Sequence, residues 1–124
     1  MYNNHGDIQK NRLYIVVQGK IEADEIKAAC ANILVEAKRL KPGFGAISDI
    51  SSFVPVNEEG RLILQDTMKS LLDMGMKHVV RIVPPGAAVA GMQWQRTSRT
   101  VGYEALQAPS LGEAEALMDK FDQG

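Results

Sequence analysis

The segment that decides the fold reads Ile47-Ser48-Asp49-Ile50-Ser51-Ser52-Phe53-Val54-Pro55-Val56-Asn57-Glu58-Glu59-Gly60. Its apolar start predicts a strand, and Asn57 is predicted to be the N-cap of a long amphipathic helix. The end of a strand beside a helix N-terminus is where small α/β domains present side chains to a partner. The polar residues here are therefore the first candidates for a functional site. They are Asp49, Ser51, Ser52, Asn57, Glu58, Glu59 and Gly60.

Strands and helices are predicted to alternate on both sides of this segment. Runs of β-branched and aromatic residues predict the strands, and apolar spacings of three and four predict the helices. The predicted strands cover residues 7–9, 12–18, 44–50, 77–83 and 103–107. The predicted helices cover residues 23–40, 57–74, 87–101 and 110–121. This β-β-α-β-α-β-α-β-α order predicts an α/β domain with a mixed, mainly parallel sheet and helices packed against it.

Composition narrows the class of protein. A chain of 124 residues with 45% apolar residues predicts one globular domain, in which we expect residues 1–6 to be disordered. The formal net charge of -1 offers no electrostatic case for nucleic acid. Neither a signal peptide nor a membrane-spanning apolar run is recognisable. Cys30 is the only cysteine, which favours a reducing compartment, so we expect a cytoplasmic protein without membrane insertion.

Three short motifs carry a family resemblance, together with the order of the elements. They are Gly19-Lys20-Ile21 ahead of a helix, Asp49-Ile50-Ser51 followed without a gap by Asn57-Glu58-Glu59-Gly60, and Ala108-Pro109-Ser110-Leu111-Gly112-Glu113-Ala114. Over about residues 7–121 the chain resembles the STAS domain, the fold of bacterial anti-sigma-factor antagonists. The resemblance implies a non-catalytic regulatory module that binds a protein partner, such as a kinase-like anti-sigma factor.

The chain departs from this family at the residue that carries its regulation. In typical antagonists the helix opens with Asp, two hydroxyl residues and Gly, and the partner kinase phosphorylates the hydroxyl residue before that glycine. The matching positions here are Asn57, Glu58, Glu59 and Gly60. A kinase cannot phosphorylate Glu59 as it would a serine. The chain therefore resembles a divergent member that lacks the phosphoacceptor, and we do not expect the usual phosphorylation cycle.

Glu58 and Glu59 have two interpretations. Carboxylates in a first turn stabilise the helix through its dipole, which is the simpler one and the one favoured here. The other is a fixed state that imitates phosphorylation, although a glutamate carries about one negative charge and a phosphoserine roughly 1.5 to 2.

A second hypothesis is a pocket for a small apolar or lipid-like ligand. Met68, Met92 and Trp94 would line it, since methionine suits adaptable binding surfaces, although core filling is its commoner use. No spacing in the sequence is typical of a metal site, a phosphate-binding loop or a nucleophile with its base. We therefore expect no cofactor, no metal and no enzymatic activity. Homodimerisation through a helix face or a strand edge is left open.

Overall fold

The computed structural model describes residues 2–50, 53–55, 57–86, 99, 102 and 105–122. Ten strands and helices lie in these residues. In chain order they are β1 (Tyr2–Asp7), β2 (Arg12–Val17), β3 (Gly19–Ile21), α1 (Ala23–Ala37), β4 (Gly45–Asp49), β5 (Phe53–Pro55), α2 (Glu58–Asp73), β6 (His78–Ile82), β7 (Leu106–Ala108) and α3 (Leu111–Asp122).

The main sheet is mixed, as predicted. Its five described strands have the order β1-β2-β4-β6-β7. β1 runs antiparallel to β2, whereas β2, β4, β6 and β7 are mutually parallel neighbours. The antiparallel pair therefore lies at one edge, and the predicted α/β architecture is confirmed.

A second, two-stranded sheet joins β3 and β5 in parallel, with Gly19 opposite Phe53 and Ile21 opposite Pro55. Neither strand was predicted, because three residues are too few to show a period. Each of them leads directly into a helix, β3 into α1 and β5 into α2. The small sheet therefore sets the N-termini of these two helices side by side.

Alternation along the strands divides the core between the two faces of the main sheet. From β2, Leu13, Ile15 and Val17 enter a core that also contains buried residues of α1 and α2. Residues of the opposite face, such as Ile47 of β4, pack in a smaller cluster with Met118 of α3. Because side chains alternate along a strand, β2, β4 and β6 contribute residues to the core on both faces of the main sheet.

The smaller layer is completed by charged groups. Arg12 of β2 is only 2% exposed, and its Nη2 lies 2.5 Å from Asp119 Oδ1 of α3. Its Nη1 is 3.4 Å from Glu115 Oε1, and Lys10 Nζ is 3.3 Å from Glu115 Oε2. A buried guanidinium requires such partners, so α3 is held to β2 by charge as well as by apolar contact.

The predictions for the N-terminus were wrong. Residues 2–6 were expected to be disordered, and the first strand was placed at residues 7–9, yet β1 spans Tyr2–Asp7 and pairs with β2 along its whole length. Asn4 Nδ2 also donates to Asn32 Oδ1 of α1 at 2.9 Å. A side chain of β1 is thus bonded to a distant helix, which a local pattern cannot reveal.

Other boundaries were nearly correct. α1 ends at Ala37 rather than residue 40. β7 spans Leu106–Ala108 where a strand was predicted at residues 103–107, of which residues 103 and 104 lie outside the described residues. Gly75, predicted to follow α2, has φ 104°, the left-handed conformation that favours glycine. The helix predicted at residues 87–101 lies outside the described residues except for Arg99.

Candidate functional site

Asn57 begins α2 as predicted. Its backbone is extended, with φ -148°, and its side-chain oxygen accepts a hydrogen bond from the Gly60 backbone N–H at 3.2 Å. This satisfies one of the N–H groups that the first turn of a helix leaves without an intrahelical acceptor. Gly60 is buried, so the cap fixes the start of α2 against the body of the domain.

Glu58 is held by its own helix. Arg61, one turn later, donates from Nε to both carboxylate oxygens of Glu58 at 3.0 and 3.1 Å, and its Nη2 also contacts Oε1. Arg61 Nη1 reaches Gln65 Oε1 at 3.1 Å. The hydrogen bonds from Arg61 hold the pKa of Glu58 below its ordinary value. Glu58 is therefore an oriented anion at neutral pH.

Glu59 projects more freely. Its side chain is 61% exposed, and Oε1 lies 3.8 Å from Lys27 Nζ of α1. An exposed pair at this distance contributes little to stability, because water screens it and two long side chains must be ordered. The pair nevertheless shows that the starts of α1 and α2 are close enough for the Lys27 side chain to reach Glu59.

The start of α1 is the part of this region that sequence reasoning missed. Glu22, Ala23 and Asp24 line a shallow cleft of about 300 Å³ together with Asn57. Both first turns are acidic, with Asp24 and Glu25 on α1 and Glu58 and Glu59 on α2. Negative charge is favourable at the positive end of each helix dipole. The signal available in the sequence was that Gly-Lys-Ile and Phe-Val-Pro each precede an acidic helix start.

Asp49 lies at the C-terminal end of β4, in register with Val16 of β2. Because it follows Ile47 by two residues, it shares the sheet face that α3 covers, whereas α1 and α2 lie on the other face. The structure therefore does not bring Asp49 onto the same surface as Glu58 and Glu59. Ser51 and Ser52 lie outside the described residues, so their part in the site stays a prediction.

Only one residue of the alternative ligand pocket is described. Met68 is buried on α2 and belongs to the core beneath that helix. Met92 and Trp94 lie outside the described residues, and the pocket they would form stays a prediction. Among the described residues, no group of three or more His, Cys, Asp or Glu side chains is arranged to hold a metal ion.

No described helix combines the length and the apolar character that crossing a membrane requires.

The sequence matches no protein-family model, and a search of curated proteins finds no match. Solved structures do match. The anti-sigma-factor antagonist SpoIIAA in its unphosphorylated form superposes with a TM-score of 0.55 over 98% of both chains, at 11% identity.

The chain has the STAS fold. SpoIIAA in its phosphorylated form, described as a Bacillus cell fate determinant, superposes with a TM-score of 0.56 at 12% identity, over 94% of this chain and 98% of the other. The predicted fold resemblance is thereby confirmed over nearly the whole chain. At this identity the likeness establishes the fold, and the function has to be argued from the residues of this chain.

Proposed function

We propose that this STAS-fold chain is a non-catalytic, cytoplasmic interaction module that binds a regulatory protein in a bacterial cell. The contact surface is the start of α2 with the adjoining start of α1. Ser51 and Ser52 are proposed to extend this surface, whereas Asp49 lies on the other face of the main sheet. A kinase-like anti-sigma factor is the partner that the likeness to SpoIIAA supports, since that protein is an anti-sigma-factor antagonist.

The observation that carries this proposal is that two adjacent glutamates, Glu58 and Glu59, make different contacts. Glu58 is held by hydrogen bonds from Arg61, whereas Glu59 is exposed and has Lys27 Nζ 3.8 Å from its Oε1 atom. The Asn57 cap closes the first turn of α2 beneath Glu59, where Gly60 is buried. An exposed charge on a formed helical turn is suited to recognition, because its position is largely set before a partner binds.

The chemistry of the partner follows from the outer face of α2. Leu62 is 45% exposed and lies three residues after Glu59. Asp66, also exposed, lies one turn further along the same stripe. An apolar side chain between two carboxylates complements a surface with basic groups around a small apolar depression. Charge complementarity of this kind steers the encounter and selects the partner.

The regulation is proposed to differ from that of a phosphorylated antagonist. The SpoIIAA structures were determined in both an unphosphorylated and a phosphorylated form. Glu58 and Glu59 offer no hydroxyl group for phosphorylation, and a glutamate carries about one negative charge where a phosphoserine carries roughly 1.5 to 2. We infer that this surface is anionic at all times and that control of the interaction comes from the partner or from its abundance.

The binding test compares two charge reversals at opposite ends of α2. Glu59→Lys reverses a charge in the proposed surface, and Asp73→Lys reverses a charge at the far end of the same helix. Each tagged variant is used to capture proteins from the source cells, and the captured partner is then titrated in purified form. Glu59→Lys is expected to weaken binding by about tenfold or more, and Asp73→Lys by less than about threefold. Equal binding by all three proteins would contradict the proposed surface.

The switching test restores the missing hydroxyl group. Wild type and Glu59→Ser are incubated with the purified partner and labelled ATP. We expect no label on the wild type, and label on the new serine if the partner is kinase-like. Phosphorylation of the wild-type chain at another residue of the site would contradict the proposal that its charge is fixed.

A further inference from the structure

β1 is the outermost described strand on one side of the main sheet. In an antiparallel pair, the backbone groups of successive residues point alternately toward the neighbouring strand and away from it. Gly6 N–H points away from β2, because it donates to Glu36 Oε1 of α1 at 3.1 Å. Residues two apart share a direction, so the N–H and C=O groups of Tyr2 and Asn4 also face outward.

Glu36 is built into this edge. Its side chain is 16% exposed, and Arg39 Nη1 donates to the same Oε1 atom at 2.8 Å. His5 Nδ1 of β1 lies 3.7 Å from that oxygen. The hydrogen bond from Gly6 is the main reason why the pKa of Glu36 is lowered below its ordinary value. The carboxylate is therefore charged at neutral pH and accepts hydrogen bonds from Gly6 of β1 and from Arg39, which follows α1.

Glycine at position 6 allows this contact. A Cβ atom there would lie 2.7 Å from the backbone oxygen of Glu36, which is closer than real Cβ contacts occur. The end of α1 therefore rests directly on β1, and the Glu36 side chain reaches the outward N–H from that position. The close packing and the hydrogen bond depend on the same glycine.

The outward groups of β1 are complementary to themselves. A two-fold axis at Asn4 would set Tyr2 opposite Gly6 of a second copy, Asn4 opposite its own equivalent, and Gly6 opposite Tyr2. Each pair could exchange N–H and C=O groups in an antiparallel ladder. Because Gly6 occurs at both ends of this arrangement, one occupied Gly6 N–H per chain removes a donor at each end.

We propose that Glu36 is a latch that prevents β1 from pairing with β1 of a second copy of this chain. The latch occupies the Gly6 N–H and places a charged side chain where the incoming strand would lie. Natural proteins protect exposed sheet edges with charged side chains for this reason. Removal of the carboxylate opens the edge and yields a symmetric dimer through a continuous sheet.

The test uses a matched pair of substitutions in the full chain. Glu36→Met removes the acceptor oxygen and retains the length of the side chain, whereas Glu36→Gln retains an oxygen that can accept from Gly6. Sedimentation equilibrium over a range of concentrations gives the dimer dissociation constant of each protein. For Glu36→Met it is expected to fall by at least about tenfold relative to wild type, since one donor is released in each copy. Glu36→Gln keeps the acceptor and loses the charge, so its dissociation constant is expected to lie between that of wild type and that of Glu36→Met.

Amide hydrogen exchange supplies an independent readout. In dilute solution the Gly6 amide should exchange faster in Glu36→Met than in the other two proteins, and it should become protected as the dimer forms. Should Glu36→Met fail to unfold cooperatively, Glu36→Ala carries the same comparison. Unchanged association of a folded variant that lacks the acceptor would overturn the proposal, as would equally strong association of Glu36→Gln.

Discussion

The hydroxyl group of Tyr14 donates to Glu115 Oε1 at 2.5 Å and so ties the second strand of the main sheet to the last described helix. The same carboxylate lies beside Lys10 and the buried Arg12. Two cations and a phenol therefore share one glutamate between β2 and α3. One carboxylate of α3 therefore contacts three polar side chains of β2 and of the turn before it.

Tyr14→Phe is expected to lower the free energy of unfolding by about 1 to 2 kcal/mol. The substitution removes a hydrogen bond to a charged acceptor and keeps the ring, and the cost is limited because Glu115 is 28% exposed and water can replace part of the contact. Urea denaturation measures the change. Tyr2→Phe, which removes a hydroxyl from a half-exposed ring, is the control and should change stability by less than about 0.5 kcal/mol.

The titration of Tyr14 makes a prediction for alkaline pH. Burial, followed by the hydrogen bond and charge of Glu115, raises the pKa of Tyr14 from 10.0 to about 12. A group whose pKa is higher in the folded state stabilises the fold below the unfolded value and loses that contribution as the pH rises through the folded value. Unfolding measurements from pH 10.0 to about pH 12 should therefore show a loss of stability in wild type. Tyr14→Phe should lose less over the same range.

Asn57→Ala should destabilise the domain by about 1 kcal/mol, the usual cost of losing an N-cap acceptor. The Gly60 N–H would then lack the oxygen that it donates to at 3.2 Å. Asn57→Asp keeps an acceptor at the same place and should leave stability within about 0.5 kcal/mol of wild type. Chemical denaturation of the three proteins checks this. An equal loss in both variants would show that the cap is not the reason.

Gly6→Ala and Gly112→Ala form a matched pair. At Gly6 the new methyl group meets the backbone oxygen of Glu36 at 2.7 Å, so α1 or β1 must shift, at a cost of about 1 to 3 kcal/mol. At Gly112, near the start of α3, a Cβ has open space, and alanine should be neutral or stabilise by up to about 1 kcal/mol. Thermal unfolding of both proteins tests the sign. A neutral Gly6→Ala would mean that α1 does not rest on β1.

The accuracy of the sequence predictions followed the range of the interactions involved. α2 was predicted well, because its cap at Asn57 and its terminating Gly75 are local signals. β1 was misplaced, because its stability comes from pairing with β2 and from contacts of Asn4 and Gly6 with α1. The partners on α1 are 28 and 30 residues away in the chain, where periodicity carries no information.

The candidate site was anticipated in the same uneven way. The acidic first turn of α2 was visible in the sequence, and the Asn57 cap was predicted correctly. The contact between Lys27 and Glu59 was not predicted, because it requires the pairing of β3 with β5, which places the starts of α1 and α2 together. Asp49 was grouped with the glutamates by its nearness in sequence, whereas strand alternation directs it to the other face of the sheet.

The short ladder between β3 and β5 has an energetic consequence for any partner of this surface. Three residue pairs hold together the starts of two helices, so this end of the domain should open locally at a lower free energy than the main sheet. A partner that touches both first turns would have to suppress that opening, and part of its binding energy would be spent in doing so. Substitutions that strengthen the ladder should therefore tighten binding without adding a single contact to the partner.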